Sequence, residues 1–232
     1  MSGERKLTIV FALFPGVTQL DFTGPHQVFS SIPGAEVVLA STAGGTIETQ
    51  GINFAGLRRL EDVSRCDVIC VPGGRGVTDD AIHDAAFLGN LRRLAATARY
   101  VTSVCTGSLA LGAAGLLRGK RAACHWLWRD LLTEFGAVPA SGRVVRDGNI
   151  ITGGGVTAGI DFALTVTAEL VGADAAQAIQ LQIEYAPSPP FEAGDPETAP
   201  PDILALVRRR NEAVIGPRRA AVAAAAARLA AR

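Results

Sequence analysis

Cys105 is the residue in this 232-residue chain whose setting best suits covalent chemistry. It stands between an apolar strand pattern at 100–104 and a helical pattern at 106–111. A sharp strand-to-helix turn holds a side chain strained and exposed, beside the backbone N–H groups of the helix N-terminus. For a cysteine, this setting lowers the pKa below its free value of about 8.5 and favours the thiolate. The pattern predicts a nucleophile, and a buried structural cysteine is the alternative.

Asp21 is the candidate acid–base partner of this cysteine, because it follows the first predicted strand by only a few residues. In an open parallel sheet, ligands bind outside the carboxyl ends of the strands, so Asp21 and Cys105 should converge on one cleft. Apolar residues flank Asp21 on both sides, and burial between them would raise its pKa and suit it to proton transfer. A turn or N-cap aspartate that only binds backbone N–H groups is the alternative.

Thr106 and Gly74 are the candidates for stabilising charge on a substrate. Thr106 offers a hydroxyl next to the cysteine, and its backbone N–H could act together with that of Gly74, which follows another predicted strand. The alternatives are a residue that simply starts a helix and a glycine that simply allows a tight turn. His125 lies between apolar residues and is interpreted as a hydrogen-bonded core residue, not as a base.

The composition excludes several classes of partner and cofactor. Lys plus Arg equals Asp plus Glu at 22 each, so no net field attracts nucleic acid or a membrane, and neither is expected as a partner. No run reaches about 18 apolar residues, and residues 1–6 lack a signal-peptide pattern, which predicts a cytoplasmic protein. Without a CxxC pair, clustered histidines or a Walker or GxGxxG spacing, neither a metal nor a phosphate-bearing cofactor is expected.

Strand and helix patterns alternate along the chain and predict an α/β fold with a mostly parallel central sheet. The strand patterns lie at 7–14, 36–40, 67–71 and 100–104, with a small hairpin within 42–56. Helices are expected from Pro25 onward, from Asp79 to Ala98 and from Val156 to Val171. Residues 1–232 are predicted to form a single domain that has a Pro-rich loop at 186–200 and two helices at about 201–231, the last an Ala-rich surface or subunit-contact helix.

Several motifs in this chain resemble those of the ThiJ/PfpI superfamily. They are the segments 19–25, 71–74, 102–108, 112–117 and 153–161. More narrowly, the Asp21 segment, the Cys105-Thr106 pair and the tail at 182–191 resemble the isocyanide hydratases of that superfamily. The resemblance covers the chain from about Leu7 through the terminal helices.

This resemblance implies a flavodoxin-like three-layer α/β sandwich, similar to class I glutamine amidotransferases. It also implies a homodimer without cofactors, which hydrates a small-molecule isocyanide to an N-substituted formamide through a covalent thioimidate. Cys105 would be the nucleophile, Asp21 the proton donor and acceptor, and Thr106 a polar assistant. A backbone carbonyl of Val156 would lie near the cysteine.

Two departures from other branches of the superfamily separate the possible functions. The protease-like members place His directly after the cysteine or use a Glu from the first loop, whereas this chain has Thr106 and Asp21, which disfavours peptide hydrolysis. Only some thirty residues follow Pro200, too few for the DNA-binding domain of related regulators. A redox sensor or protective protein, in which Cys105 is oxidised, remains the alternative to the enzyme, and a ligand-sensing module is a third hypothesis.

Overall fold

An eight-stranded sheet forms the centre of the computed structural model, which describes residues 6–231. The strands in chain order are β1 (Thr8–Leu13), β2 (Glu36–Ser41), β3 (Gly45–Thr49), β4 (Ile52–Arg59), β5 (Val68–Val71), β6 (Tyr100–Val104), β7 (Arg121–Ala122), β8 (Val138–Pro139), β9 (Val144–Asp147) and β10 (Ile150–Gly153). The sheet has the order β3-β4-β2-β1-β5-β6-β10-β9, and β7 and β8 pair separately. The predicted hairpin is confirmed as β3 and β4, with β4 continuing to pair with β2.

The central strands β4, β2, β1, β5, β6 and β10 are parallel, and β3 and β9 add antiparallel edges. Continuous apolar runs such as Ile9–Leu13 are fully buried, as expected for strands covered on both faces. The predicted mostly parallel sheet is therefore confirmed. Because β1, β5 and β6 are direct neighbours, the segments that follow them meet at one edge of the sheet.

Helices cover the sheet and complete an α/β three-layer architecture, as predicted. They are α1 (Leu20–Ser30), α2 (Ala85–Ala95), α3 (Gly107–Ala113), α4 (Ala158–Val171), α5 (Ala173–Gln182) and α6 (Pro201–Ala230), with short helical turns at Leu60–Asp62, Val77–Ala81 and Arg129–Phe135. One group packs α1 against α4 and α4 against α5. The other packs α3 against α2, α6 and the turn at Arg129–Phe135.

The prediction that the first helix starts at Pro25 is wrong. Helix α1 begins at Leu20, and Pro25 lies inside it. The N–H groups of Phe22 and Thr23 both donate to the carbonyl of Gln19, over 3.1 and 2.9 Å, and this first turn is formed before the proline is reached. Pro25 packs against Gly159 of α4, where an added Cβ would lie 3.0 Å from the proline ring, so glycine at 159 leaves room for that ring. Asp21 therefore lies in the first turn of a helix, not in a loop.

The predicted helix from Asp79 to Ala98 is also wrong, because it is divided in two. A wide helical turn spans Val77–Ala81, and α2 starts only at Ala85. Asp84 is the N-cap of α2, since its Oδ1 accepts hydrogen bonds from the N–H groups of Ala86 and Phe87 over 2.8 and 2.9 Å. An aspartate capping two backbone donors ends one helical segment and begins the next.

A single helix, α6, follows the Pro-rich segment where two helices were expected. Pro217 lies within it, and beyond this proline Arg219 pairs with Asp130 and Arg228 donates to the Ile82 carbonyl over 3.3 Å. Val222 and Ala225 are buried, so the Ala-rich part is not simply a surface helix. Its small side chains allow α6 to approach α3 and the turn at Arg129–Phe135 closely.

Within residues 6–231, no helix is both long enough and apolar enough to cross a membrane. Residues 1–5, on which the predicted lack of a signal peptide rests, lie outside the described residues.

Candidate active site

Cys105 occupies a strained turn between β6 and α3, as the sequence predicted. Its φ is 57°, in the left-handed region that non-glycine residues rarely adopt, and its N–H donates to the carbonyl of Gly153 over 3.1 Å. The turn needs glycine at position 107, because a Cβ there would lie only 2.0 Å from the carbonyl oxygen of Val71. Glycine at 107 therefore lets α3 begin directly against the end of β5.

Asp21 is fully buried and held in one orientation. The N–H of Gly73 donates to its Oδ2 over 2.8 Å, whereas Oδ1 has no hydrogen-bond partner of normal length and angle in the described structure. The Cys105 thiol is close enough for the two groups to perturb each other's pKa. Burial raises the pKa of Asp21 from 3.8 to about 7, against the lowering effects of Gly73 and Cys105.

The predicted exposed, low-pKa thiolate at Cys105 is wrong. The residue is 5% exposed, and burial raises the pKa of its thiol well above the usual value. The nearby Asp21 carboxyl and Cys124 thiol raise this pKa further, and the Thr106 backbone N–H, which lowers it, is outweighed. Desolvation in the interior thus exceeds the effect of the helix start. At neutral pH the cysteine is a thiol that needs a base to be activated.

Gly73, Gly74 and Thr106 connect Asp21 to Cys105. A Cβ at Gly73 would lie 2.6 Å from the Thr106 nitrogen and 2.8 Å from Asp21 Oδ2, so only glycine fits between them. The N–H of Gly74 donates to Thr106 Oγ1 over 3.0 Å. The Gly74 N–H can donate to a substrate only if its hydrogen bond to Thr106 is broken. The neighbouring first loop is fixed here because the N–H of Thr18 donates to the Gly73 carbonyl over 2.8 Å.

A cavity of about 400 Å³ opens over this constellation. Three of the four predicted site residues, Cys105, Thr106 and Gly74, line it, and Val156 lines it as well. The fourth, Asp21, is buried behind the cavity wall. The volume is within the range of cavities that bind small molecules. The sequence therefore identified residues that come together, although Asp21 contacts the cavity only through its neighbours.

Several lining residues were missed by the sequence analysis. His125 was interpreted as core, yet it is half-buried and lines the cavity with Trp126. Its Nδ1 accepts a hydrogen bond from the N–H of Leu127 over 3.3 Å, and burial lowers its pKa, so it is neutral at pH 7. Asn211 and Arg218 reach the cavity from α6. Nothing in their local sequence indicates this, because the packing of a distant helix brings them there.

The three other cysteines lie in the hydrophobic core. Cys66, Cys70 and Cys124 are buried, as predicted for core residues, and burial raises the pKa of each to about 12. Across residues 6–231, no cluster of three or more His, Cys, Asp or Glu side chains could hold a metal ion.

Comparison with known proteins agrees with this architecture. The family model of the DJ-1/PfpI family matches residues 7–169. An isonitrile hydratase from Pseudomonas putida is 54% identical over 205 residues, which cover 88% of this chain and 90% of that protein. The crystal structure of a ThiJ/PfpI family protein from Pseudomonas syringae superposes with a TM-score of 0.89 at 38% identity, covering 96% of this chain and 91% of that one.

A more distant structure shares the fold alone. Drosophila melanogaster DJ-1beta superposes with a TM-score of 0.71 at 22% identity, and covers 79% of this chain and all of its own. The family model includes the strands, the Asp21 turn and the Cys105 turn described above, but ends before α6. Sequence, sheet order and site geometry agree, and the chain belongs to the DJ-1/PfpI family.

Proposed function

We propose that this protein hydrates isonitriles, also called isocyanides, to N-substituted formamides, with Cys105 as nucleophile and Asp21 as its acid–base partner. The observation that carries the proposal is the buried Asp21 carboxyl, which lies beside the Cys105 thiol in its strained turn and has a pKa of about 7. The similarity to an isonitrile hydratase over nearly the whole chain supports the choice of electrophile.

The proposed first step adds the thiol across the isonitrile carbon. Asp21 accepts the S–H proton as the Cys105 sulfur bonds to that carbon, and then delivers the proton to the same carbon. The product is a thioimidate, R–N=CH–S–Cys105. A pKa near 7 suits a group that must both accept and donate a proton at neutral pH.

The proposed second step consumes one water molecule. Its oxygen bonds to the thioimidate carbon and one of its protons goes to the nitrogen. The carbon–sulfur bond then breaks, the hydroxyl proton returns through Asp21 to the Cys105 sulfur, and R–NH–CHO leaves. The atoms balance without an external oxidant or reductant.

Thr106 and Gly74 assist in this proposal by orienting the reacting groups. The Thr106 hydroxyl lies in the cavity wall and holds the Gly74 N–H, which becomes a donor to the tetrahedral intermediate when that bond is exchanged. The alternative of a redox sensor has less support, because oxidation favours exposed thiolates and Cys105 is neither exposed nor low in pKa.

The test follows a simple alkyl isonitrile by NMR with the wild-type protein in D₂O. The proposal predicts an N-alkyl formamide whose formyl position carries deuterium, because the exchangeable thiol and carboxyl groups supply that hydrogen. An amine or an unchanged isonitrile would contradict the proposed reaction. Because the isonitrile carbon carries no hydrogen, this label identifies the reaction but not the proton carrier; formamide formation by Asp21→Ala at the wild-type rate would contradict the route through Asp21.

The proposal includes a homodimer in the cytoplasm, where a reducing environment keeps Cys105 as a thiol. Exposed apolar side chains support the dimer, since Leu20 is 37% and Ile52 is 44% exposed. They lie in neighbouring segments, because the N–H of Gln19 donates to the side chain of Gln50 over 3.1 Å. Sedimentation should give a dimer that Ile52→Asp weakens. A wild-type monomer at micromolar concentration would contradict it.

A further inference from the structure

The cavity over Cys105 has a positively charged wall. Among its lining residues are two arginines, Arg75 and Arg218, with the amide side chain of Asn211, and within residues 6–231 no aspartate or glutamate lines it. Val207, Asn211 and Arg218 are spaced by four and seven residues along α6, so they share one face of that helix. This face closes the cavity opposite the strand ends.

The two arginines differ in their partners. Arg75 pairs with Asp79, its Nε lying 3.2 Å from Oδ2, and its side chain is largely exposed. Arg218 is half-buried, and in the part of the chain that the structure describes it forms no salt bridge. The adjacent Arg219 pairs with Asp130 on the outer surface. Arg218 is thus the cavity cation available to a ligand.

Arg218 is held in place by an aromatic ring. Its guanidinium carbon lies 4.6 Å from the centroid of the Trp128 ring, a geometry that fixes the plane of the guanidinium without using its N–H donors. Burial lowers the pKa of Arg218; the negative charge of Asp79 opposes this effect, and the positive charge of Arg75 adds to it. A partly desolvated cation whose donors are free is stabilised by an anionic partner.

We propose that this cavity selects isonitriles that carry a carboxylate, and that Arg218 binds this carboxylate while the isonitrile carbon approaches Cys105. The inference rests on the proposed function and specifies its substrate class. A single free guanidinium matches a carboxylate, since its planar N–H groups pair with the two oxygens. Asn211, on the same face of α6, donates one amide N–H to the Val207 carbonyl over 2.9 Å and has a second N–H to offer the ligand.

The kinetic test compares isocyanoacetate with its methyl ester, which has the same isonitrile and no charge. The wild-type protein should prefer the carboxylate by about 10- to 100-fold in kcat/KM, mainly through KM, as expected for a charge-assisted contact. Arg218→Gln should bring the ratio of the two kcat/KM values close to one, and Arg218→Lys should restore part of the preference. Arg210→Gln is the matched control, an exposed arginine of α6 outside the cavity lining, and should keep the wild-type ratio.

A wild-type ratio near one, or a ratio that survives Arg218→Gln, would overturn the inference. So would an equal loss for both substrates, because Arg218 would then act on Cys105 and not on the carboxylate. Calorimetry with N-formylglycine and its methyl ester separates this inference from the proposed function, since it needs no turnover. Tighter binding of the acid by wild type than by Arg218→Gln supports the carboxylate site even if no isonitrile is consumed, and equal binding contradicts it.

Discussion

The backbone N–H of Gly73 donates to Asp21 Oδ2 over 2.8 Å, whereas the buried Oδ1 makes no hydrogen bond of normal length and angle among the described residues. One oxygen of the carboxyl is therefore fixed and the other is available for a proton. The contact depends on glycine at position 73, because any Cβ there would lie 2.8 Å from the same oxygen. A strand end, a helix start and a glycine thus orient one carboxyl toward one thiol.

The activity should depend on pH through the Asp21–Cys105 pair. The active form of the pair carries one proton, with Asp21 as carboxylate and Cys105 as thiol. Below a pKa of about 7 Asp21 takes up a second proton, and the thiol loses its own only at high pH, because its pKa is raised well above the usual value. With a neutral isonitrile, kcat/KM should rise about tenfold per pH unit below 7 and level off above it. Recovery of activity after return to pH 7.5 controls for acid unfolding. A profile that is flat from pH 5.5 to 8.5 would contradict this mechanism.

Asp21→Asn should make the protein more stable at alkaline pH. The native state holds the Asp21 proton up to a pKa of about 7, whereas the unfolded chain releases it near 3.8. The wild type therefore loses stability as pH rises through this window, and an amide does not ionise. The free energy of unfolding should increase by about 1–3 kcal/mol at pH 8 and by little at pH 4, as measured by urea unfolding. A difference that is the same at both pH values would sink this explanation of the raised pKa.

Gly73→Ala should remove most of the activity and also lower the free energy of unfolding, because the atom nearest to the new Cβ is the backbone nitrogen of Thr106. The new Cβ would push the Thr106 nitrogen and the Asp21 carboxyl away from Cys105, and a misplacement of about 1 Å can cost about 100-fold in rate. Gly89→Ala is the matched control, because Gly89 lies in α2 and a Cβ added there would meet nothing within 4 Å. The kcat/KM of both variants decides the question. Retention of more than a third of wild-type activity by Gly73→Ala would show that the contact is dispensable.

Thr106→Val should weaken both stability and activity. It replaces the hydroxyl with a methyl of similar size and leaves the Gly74 N–H without its acceptor at 3.0 Å. Gly74 is half-buried and lines the cavity, so water can replace the lost acceptor and the stability loss should be about 1 kcal/mol, at the lower end of the range for a lost hydrogen bond. The value of kcat/KM should fall by about tenfold or more because the loop at Gly74 loses its anchor. Thr106→Ser keeps the hydroxyl and should stay close to wild type in both measurements. Equal behaviour of the two variants would assign Thr106 only a packing role.

The sequence predicted the parts of the site that depend on strand order. Cys105, Asp21 and Gly74 each follow a strand, and the carboxyl ends of neighbouring parallel strands must meet. The apolar neighbours of Asp21 correctly indicated a raised pKa. The start of α1 was misplaced because Pro25 is a strong helix-start signal, whereas packing against Gly159 accommodates it inside the helix.

The ionisation of Cys105 and the contribution of α6 could not be predicted locally. Helix-start N–H groups favour a thiolate, yet burial between Asp21 and Cys124 has the larger effect, and burial depends on the whole fold. Arg218 lies more than 100 residues from Cys105 in sequence, and no motif marks it. It reaches the cavity only because α6 packs against α3 and its neighbours.

The initial rate of formamide formation from an alkyl isonitrile, measured for wild type, Cys105→Ala and Cys66→Ala, tests the central claim most directly. Cys66 is an equally buried cysteine outside the cavity, so its variant controls for the loss of a core thiol. Cys105→Ala should lower kcat by at least about a thousandfold, since Cys105 is the one cysteine among the described residues that line the cavity, and Cys66→Ala should stay within a few-fold of wild type. Turnover by Cys105→Ala within tenfold of wild type would contradict the assignment of Cys105 as the nucleophile.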